Sequence, residues 1–231
     1  MNNLEFVSEL INIAKNYNTL YVMGCFGAPM TSANKTRYCH NHSYNKKATR
    51  QAMIKAASSD TFGFDCVNLI KAVLWGWNGD KTKSHGGAVY ASNGVPDINA
   101  DTMITRCTGI SANFNKIEVG EVVWCPGHIG VYIGDGLAVE CSPKWKNGVQ
   151  ITACNCTKPG YNLRNWTKHG KLPYIIYIKE TKELTSVNDI VWELHHRGII
   201  TDKNLWLKKL EKDTNTYWLA RKMTKYIKEN I

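Results

Sequence analysis

The stretch FGFDCVNLIKAVLWGW, residues 62–77, carries a cysteine directly behind an aspartate at the start of an apolar segment. Its apolar positions include the i, i+3, i+4, i+7 set of a buried helix face. They are Val67, Leu69, Ile70, Val73, Leu74 and Trp77. Gly63 and Asp65 supply the break and the N-cap before this helix. Cys66 is therefore predicted in the first turn of a helix that belongs to the core.

Two interpretations of Cys66 follow from that position. The free backbone N–H groups and the positive end of the helix dipole favour a thiolate over a thiol, which makes a cysteine nucleophilic. Free cysteine is also among the most buried residue types, so a small core side chain is the alternative. A catalytic role requires a base from another part of the chain.

A candidate base lies in VGEVVWCPGHIGVYIGDGLAVECSP, residues 119–143. The pattern predicts three short strands, at 122–124, 129–133 and 137–141, separated by turn residues. His128 opens the second strand beside a Pro-Gly turn, where deep burial is not expected. An imidazole is the usual partner of a catalytic thiol, and hydrogen bonding within a loop is the alternative role.

The order of these motifs resembles the NlpC-type cell-wall cysteine peptidases, relatives of the CHAP amidases. The matching segments are Gly-Phe-Asp-Cys at a helix start, Gly-Glu-Val-Val-Trp, and Gly-His-Ile-Gly-Val-Tyr-Ile-Gly-Asp-Gly. The resemblance implies that Cys66 is the nucleophile, that His128 is the base and that Glu140 orients the imidazole. It covers residues 1–180 and implies an α+β, papain-like core with the cysteine helix packed on an antiparallel sheet.

The same resemblance implies a reaction and a substrate. Thiolate attack on an amide carbonyl would give a thioester acyl-enzyme, which water then hydrolyses. The bond would lie in a peptidoglycan stem peptide or at the muramoyl-L-alanine linkage. Neither a metal nor an organic cofactor is required.

Tyr21 is a fourth candidate, in the segment Leu-Tyr-Val-Met-Gly at 20–24, which resembles the family's Pro-Tyr-Val-Trp-Gly. The resemblance places its hydroxyl near the nucleophile, where it can donate to the tetrahedral oxyanion; an ordinary core tyrosine is the equal alternative. The chain departs from the family pattern in having Val67-Asn68 where Ser-Gly is common. A long insertion, including the basic and polar residues 34–50, is expected to remodel the substrate groove.

The register of the histidine hairpin tests the role of Glu140. With a simple two-residue turn, Glu140 would lie opposite Val131 and point away from His128, because neighbouring residues of a strand face opposite sides. A three-residue loop, 134–136, with Gly136 left-handed in a bulge would pair Ile133 with Leu137 and Glu140 with Gly130. We therefore predict a bulged hairpin, a Glu140–His128 hydrogen bond, and the other ring nitrogen of His128 facing Cys66.

The eight cysteines are predicted to be mostly free thiols, since the domain is large and lacks an export signal. Cys39, His40, His42, Cys154 and Cys156 could supply zinc ligands. Because paired Cys-x-x-Cys motifs are absent, loop or buried cysteines are the better interpretation.

The net charge of +10 and pI of about 9.2 predict affinity for anionic polymers. No zinc-finger, basic-zipper or RNA-binding signature favours nucleic acid, so wall polymers or anionic lipid fit the charge. No segment is apolar enough for membrane insertion, and the first residues do not read as a secretory signal. We expect a monomer that resides in the producing cell's cytoplasm and acts at the bacterial wall after release, as phage endolysins do.

Beyond a charged connector, residues 181–231 have the pattern of three short helices. Ser186 is predicted to cap the first, which Gly198 ends; Thr201 caps the second, and Asp213 opens the third, whose apolar face includes Leu219, Ala220, Met223 and Ile227. This module is expected either to attach the protein to the wall or to brace the catalytic domain.

Two other classes of function remain open. An acyltransferase or deamidase toxin would also use a Cys–His pair, but would act on a protein. A non-catalytic wall-binding protein would keep the fold; the presence of Cys66, His128 and Glu140 argues against it.

Overall fold

The computed structural model describes residues 1–178, 187–213, 216–217, 220 and 223. The chain divides into two compact units, Met1–Ile178 and Lys179–Ile231. The first unit has five α-helices: α1 (Asn3–Asn16), α2 (Ser32–His40), α3 (Ala48–Ala56), α4 (Cys66–Leu74) and α5 (Ala100–Arg106). Its strands are β1 (Thr19–Tyr21), β2 (Phe26–Pro29), β3 (Phe62–Phe64), β4 (Thr108–Ser111), β5 (Val122–Cys125), β6 (His128–Gly134), β7 (Leu137–Ser142), β8 (Gly148–Cys154), β9 (Leu163–Arg164) and β10 (Lys168–Lys171).

Two sheets organise these strands. A seven-stranded sheet has the order β4-β10-β5-β6-β7-β8-β9, and only its last pair, β8 and β9, is parallel. A three-stranded sheet has the order β1-β3-β2. Helix α4 packs against β6 and β7, with α1 beside it. The predicted α+β class is confirmed, and the cysteine helix lies on the antiparallel sheet in a manner compatible with a papain-like fold.

Helix α4 is the central element of the core, as its apolar pattern predicts. All nine of its residues are buried. The Asp65 side chain caps it by accepting from the Asn68 amide at 2.8 Å. Its one charged residue, Lys71, forms an ion pair with Asp97, so the buried ammonium is compensated.

The insertion before α4 forms helices α2 and α3, which share a small apolar cluster of their own. Tyr38, Cys39 and Ile54 pack there against Val22 and Met30. Asn45 joins this insertion to the β1–β2 loop, because its side chain bonds both the amide and the carbonyl of Met23, at 3.1 and 2.9 Å. The basic insertion is therefore folded and packs beside the segment that carries Tyr21.

The hairpin of β6 and β7 partly corrects the predicted register. Glu140 pairs with Gly130, as predicted. However, the turn has two residues, Asp135 and Gly136, both with positive φ (51° and 68°), as a primed turn requires. Gly134 pairs with Leu137, so the predicted pairing of Ile133 with Leu137 is wrong. A register shift between Tyr132 and Gly134 adds the extra residue inside β6 and returns Glu140 to the predicted partner.

The second unit contains α6 (Val187–His196) and α7 (Lys203–Lys212). Ile190, Val191, Leu194, Ile200, Leu210 and Ala220 form its buried cluster. Gly198, with φ of 70°, follows α6 as predicted. Asp202 rather than Thr201 caps α7, by accepting from the Leu205 amide at 3.0 Å.

Parts of the predicted third helix are also visible, since 216–217, 220 and 223 are helical. The expected cap Ser186 and the expected core residues Leu219 and Ile227 lie outside the described residues. Over the described part of the chain, no helix combines the length and apolar character that a membrane crossing needs.

Candidate active site

Cys66 is the first residue of α4 and is 7% exposed. Its thiol lies against β6, close enough to the Ile129 amide for that N–H to lower the thiol pKa. Asp65, immediately before it, also accepts from the Gly24 amide at 2.8 Å. Cys66 is thus fixed where the helix start, the β1–β2 loop and the beginning of β6 meet.

The ionisation of Cys66 differs from the sequence-based expectation. Burial, together with the neighbouring Asp65 carboxylate, raises the pKa of the thiol to about 12. The amides of Ile129, Val67 and Cys66 act in the opposite direction but do not outweigh burial. The prediction that the helix start stabilises a Cys66 thiolate is therefore wrong. The resting group is a thiol, and a base must take its proton.

His128 and Glu140 form the predicted hydrogen bond, with 2.7 Å between Nε2 and Oε2. Glu140 is fully buried, and burial alone would raise its pKa. Hydrogen bonds and charge from His128 and Arg164 outweigh this and hold the pKa of Glu140 below its ordinary value. A carboxylate accepts from Nε2–H, so this bond selects the tautomer in which Nδ1 has a lone pair.

Two further side chains hold the Glu140 carboxylate. Arg164 on β9 donates from Nε to Oε1 at 3.0 Å and from Nη2 to Oε2 at 2.6 Å, a bidentate ion pair. Thr152 on β8 donates its hydroxyl to Oε1 at 2.8 Å. With His128, these donors fix both oxygens, so the carboxylate has one orientation.

Trp166 supports the imidazole from its face. Its ring is stacked on His128 with 5.4 Å between centroids and 9° between planes. Asn155 fixes this tryptophan through its side chain, which bonds both the amide and the carbonyl of Trp166 at 2.5 and 3.0 Å. Arg164, Thr152 and Trp166 were not predicted from the sequence. Only the period-2 pattern around Thr152 offered a signal, because the other two lie in segments without a motif.

Tyr21 lies at the end of β1 and is buried. Burial raises the pKa of its hydroxyl, and the nearby Cys66 and Asp65 raise it further, so it remains a protonated donor. Its ring packs edge-on against Tyr44 of the insertion, with 5.8 Å between centroids. Arg50 fixes the backbone here by donating to the Tyr21 carbonyl. The hydroxyl is therefore in the electrostatic neighbourhood of the thiol.

The four candidate residues fall into two pairs. Cys66 and Tyr21 are neighbours on one side, and His128 is bonded to Glu140 on the other. Within the described residues no hydrogen bond joins the Cys66 sulfur to the His128 ring. The two pairs meet at the start of β6, since the thiol lies by the amide that follows His128. That Nδ1 faces Cys66 stays a prediction.

The alternative zinc ligands are distributed over separate places. Cys39 belongs to the apolar cluster of the insertion, whereas Cys154 packs with Val123 and Trp166 on the large sheet. In the described part of the chain, no three His, Cys, Asp or Glu side chains are grouped to hold a metal ion. All eight cysteines are free thiols.

Comparison with known proteins finds similarity to solved structures. No family model matches the chain, and no curated protein matches it. Among solved structures, the chain is similar to the P60 domain from the M. avium subspecies paratuberculosis antigen MAP1204, with 13% identity and a TM-score of 0.38. The match covers 73% of this chain and 93% of that one.

Proposed function

We propose that Met1–Ile178 is a cysteine peptidase or amidase of the NlpC type that hydrolyses an amide bond of peptidoglycan. The observation that carries the proposal is the set Arg164–Glu140–His128, with its buried carboxylate, beside a helix-start cysteine. The bond to Glu140 leaves the second imidazole nitrogen of His128 without a hydrogen bond to the described residues, at the start of the strand against which Cys66 lies. The order of the sequence motifs around Cys66 and His128 supports the family.

The raised pKa of Cys66 sets the order of proton transfers. Nδ1 of His128 accepts the thiol proton as the sulfur attacks the amide carbonyl carbon, forming the C–S bond and a tetrahedral oxyanion. The Tyr21 hydroxyl donates a hydrogen bond to that oxyanion. The imidazolium, paired with the Glu140 carboxylate, then protonates the leaving amine as the C–N bond breaks.

The second half of the cycle uses the same groups. Water loses a proton to Nδ1 and attacks the thioester carbonyl, and the C–S bond breaks as the sulfur recovers the proton. The products are a carboxylic acid and the free thiol. Because every proton moves between substrate, water, Cys66 and His128, no metal or organic cofactor takes part in the proposed cycle.

The proposed substrate is the stem peptide or the muramoyl-L-alanine linkage of bacterial peptidoglycan. The motif resemblance and the net charge of +10 support this choice, since wall polymers are anionic. The proposed setting is that of an endolysin: a monomer made in the cytoplasm that reaches the wall after release. It inserts into no membrane and binds no nucleic acid.

The proposed role of the second unit, Lys179–Ile231, is attachment to anionic wall polymers. A groove of about 630 Å³ along α7 supports it, with three lysines and one tryptophan in its lining. They are Lys208, Lys209, Lys212 and Trp206. Lysine ammonium groups beside an aromatic ring suit a polyanion with a carbohydrate or polyol backbone.

Digestion of purified peptidoglycan, followed by mass spectrometry of the muropeptides, tests the proposal. We expect a new amine terminus and a new carboxyl terminus at one bond, which identifies the bond directly. Transfer or deamidation on a protein substrate, without new muropeptide termini, would favour the toxin class. Binding to sedimented wall without any released fragment would favour the non-catalytic class.

A further inference from the structure

Arg164 has two edges, and the protein uses only one of them. Nε and Nη2 bind the Glu140 carboxylate, and Nη2 also donates to the Ser142 hydroxyl at 3.1 Å. Nη1 makes no hydrogen bond to any described residue, and it is not among the polar atoms shut off from solvent. The side chain is 15% exposed. A guanidinium edge with two N–H donors therefore faces outward beside the candidate active site.

Two tryptophans frame this outward edge. The guanidinium carbon of Arg164 lies 4.7 Å from the ring centroid of Trp145 and 5.9 Å from that of Trp166. Trp166 in turn is stacked on His128. The side chains of Trp145, Arg164, Trp166 and His128 therefore follow one another in contact, from the 42% exposed Trp145 to the imidazole. Aromatic walls restrict a guanidinium to one plane and exclude water from its faces, which strengthens binding of a planar anion.

The loop that presents Trp145 is strained and firmly held. Trp145 and Asn147 both have positive φ, 57° and 56°, which asparagine tolerates but a tryptophan rarely adopts. Arg50 donates to the Asn147 side chain at 2.7 Å, and Gln150 donates to the Lys144 carbonyl at 3.0 Å. Strain retained at a large, exposed aromatic residue indicates a function for its position rather than a packing need.

The charge around this edge is positive. Lys144 holds its ammonium 5.2 Å from the Trp145 centroid. The Glu140 carboxylate, which Arg164 binds, is fully buried and paired with that guanidinium. An anionic group approaching Nη1 thus meets cations and no exposed acid of this loop.

From these observations we propose that Nη1 of Arg164, with Trp145 and Lys144, is a subsite for a carboxylate of the substrate. The inference rests on the proposed function and specifies its substrate further. Arg164 and His128 bind the same Glu140 oxygen, at 2.6 and 2.7 Å, so the subsite is close to the reacting amide. An extended chain spans roughly 3.3–3.6 Å per residue, so the recognised carboxylate belongs to a residue within a few positions of the scissile bond.

The test compares matched stem peptides that differ only in one group, a free carboxylate or its carboxamide, at that distance from the cleaved bond. Binding is measured by calorimetry with the Cys66→Ala protein, so that no hydrolysis is needed. We expect the carboxylate peptide to bind at least tenfold more tightly, as a charge-assisted hydrogen bond warrants. Trp145→Gly, whose backbone accepts positive φ without strain, and Lys144→Ala should each reduce this preference.

Lys55→Ala, which removes an exposed lysine of α3 outside the subsite, is the matched control and should keep the preference for the carboxylate. Equal binding of the two peptides to the Cys66→Ala protein overturns the subsite. An unchanged preference in both Trp145→Gly and Lys144→Ala, with normal melting curves, also overturns it. Hydrolysis by the active protein without any carboxylate preference would leave the proposed function standing and remove only the subsite. If the preference for the carboxylate is lost in both Trp145→Gly and Lys144→Ala, but the active protein hydrolyses no peptide, the subsite stands and the proposed reaction is wrong.

Discussion

The large sheet holds two histidine–glutamate pairs, and one of them has the features of a reactive site. His169 on β10 bonds Glu121 through Nδ1, and its Nε2 lies 3.0 Å from the Asn113 carbonyl. Both ring nitrogens are therefore engaged by the fold, and neither remains for chemistry. His128 uses one nitrogen for Glu140 and is 15% exposed at a strand start. A histidine–carboxylate pair thus indicates catalysis only where the second nitrogen has access and a nucleophile is near.

The sharpest test of this contrast replaces each histidine in turn. His128→Ala should lower kcat by about 10²–10⁴-fold, the usual contribution of a general base, with a nearly normal melting temperature. His169→Ala should instead destabilise the fold by about 3–5 kcal/mol, because it leaves the Glu121 carboxylate buried without its partner. Activity assays and denaturant unfolding of both variants measure the two effects. The contrast collapses if His169→Ala is the inactive, well-folded variant.

Tyr21→Phe should lower kcat by about 10²-fold with little change in KM, because only the transition state carries the oxyanion that the hydroxyl would bind. Steady-state kinetics on a synthetic stem peptide measures both constants. Tyr44→Phe, which keeps the neighbouring ring and also loses one hydroxyl, is the matched control. Equal kinetics for wild type and Tyr21→Phe would assign Tyr21 to the core only.

Arg164→Gln should lower kcat by about tenfold to a hundredfold, because the Glu140 carboxylate loses its bidentate partner and with it a fixed orientation for His128. Arg164→Lys should restore part of the loss. The pH dependence of folding adds a second measurement. Since the folded pKa of Glu140 is lowered, its stabilising contribution is present above the unfolded value and is lost as pH falls through the folded value.

Without Arg164, this loss of stability should begin at a higher pH, because burial of Glu140 is then opposed by fewer donors. Urea unfolding between pH 3 and 7 compares the variants with wild type. If the free energy of unfolding falls over the same acidic pH range in wild type and Arg164→Gln, the ion pair does not keep the Glu140 carboxylate ionised.

Alkylation of Cys66 tests whether its resting group is a thiol or a thiolate. With the thiol pKa raised to about 12, the rate of reaction with iodoacetamide should continue to rise with pH beyond 8.5, about tenfold per unit. Stopped-time mass spectrometry of the Cys66 peptide measures this rate. A plateau near neutral pH would mean that a thiolate–imidazolium pair exists before substrate binds, as the helix-start argument alone predicts.

Local sequence predicts the parts of this site that depend on local geometry. Spacing and an N-cap were enough for α4 and for the position of Cys66. A one-residue bulge in the hairpin was enough to pair Glu140 with Gly130, although the predicted bulge was at the wrong residue. The bulge within β6 was misplaced because turn residues define the turn but not the strand residue that carries the extra unit. The thiol pKa was wrong because burial by distant elements outweighs a helix dipole.

The supporting residues depend on long-range pairing. Arg164 reaches Glu140 because the short strand β9 pairs in parallel with β8, and Trp166 reaches His128 just beyond it. Neither position has periodicity or a motif. Their contribution becomes visible only once the sheet order is known, whereas the motifs around Cys66 and His128 are contiguous in sequence.

Hydrolysis of purified peptidoglycan by Cys66→Ala, beside wild type and Cys156→Ala, tests the central claim most directly. The account predicts that Cys66→Ala releases no new muropeptide termini while its melting curve is normal, and that Cys156→Ala, which removes a half-buried thiol away from the site, behaves as wild type. Release of muropeptides by well-folded Cys66→Ala at more than a trace of the wild-type rate would contradict the assignment of Cys66 as the nucleophile.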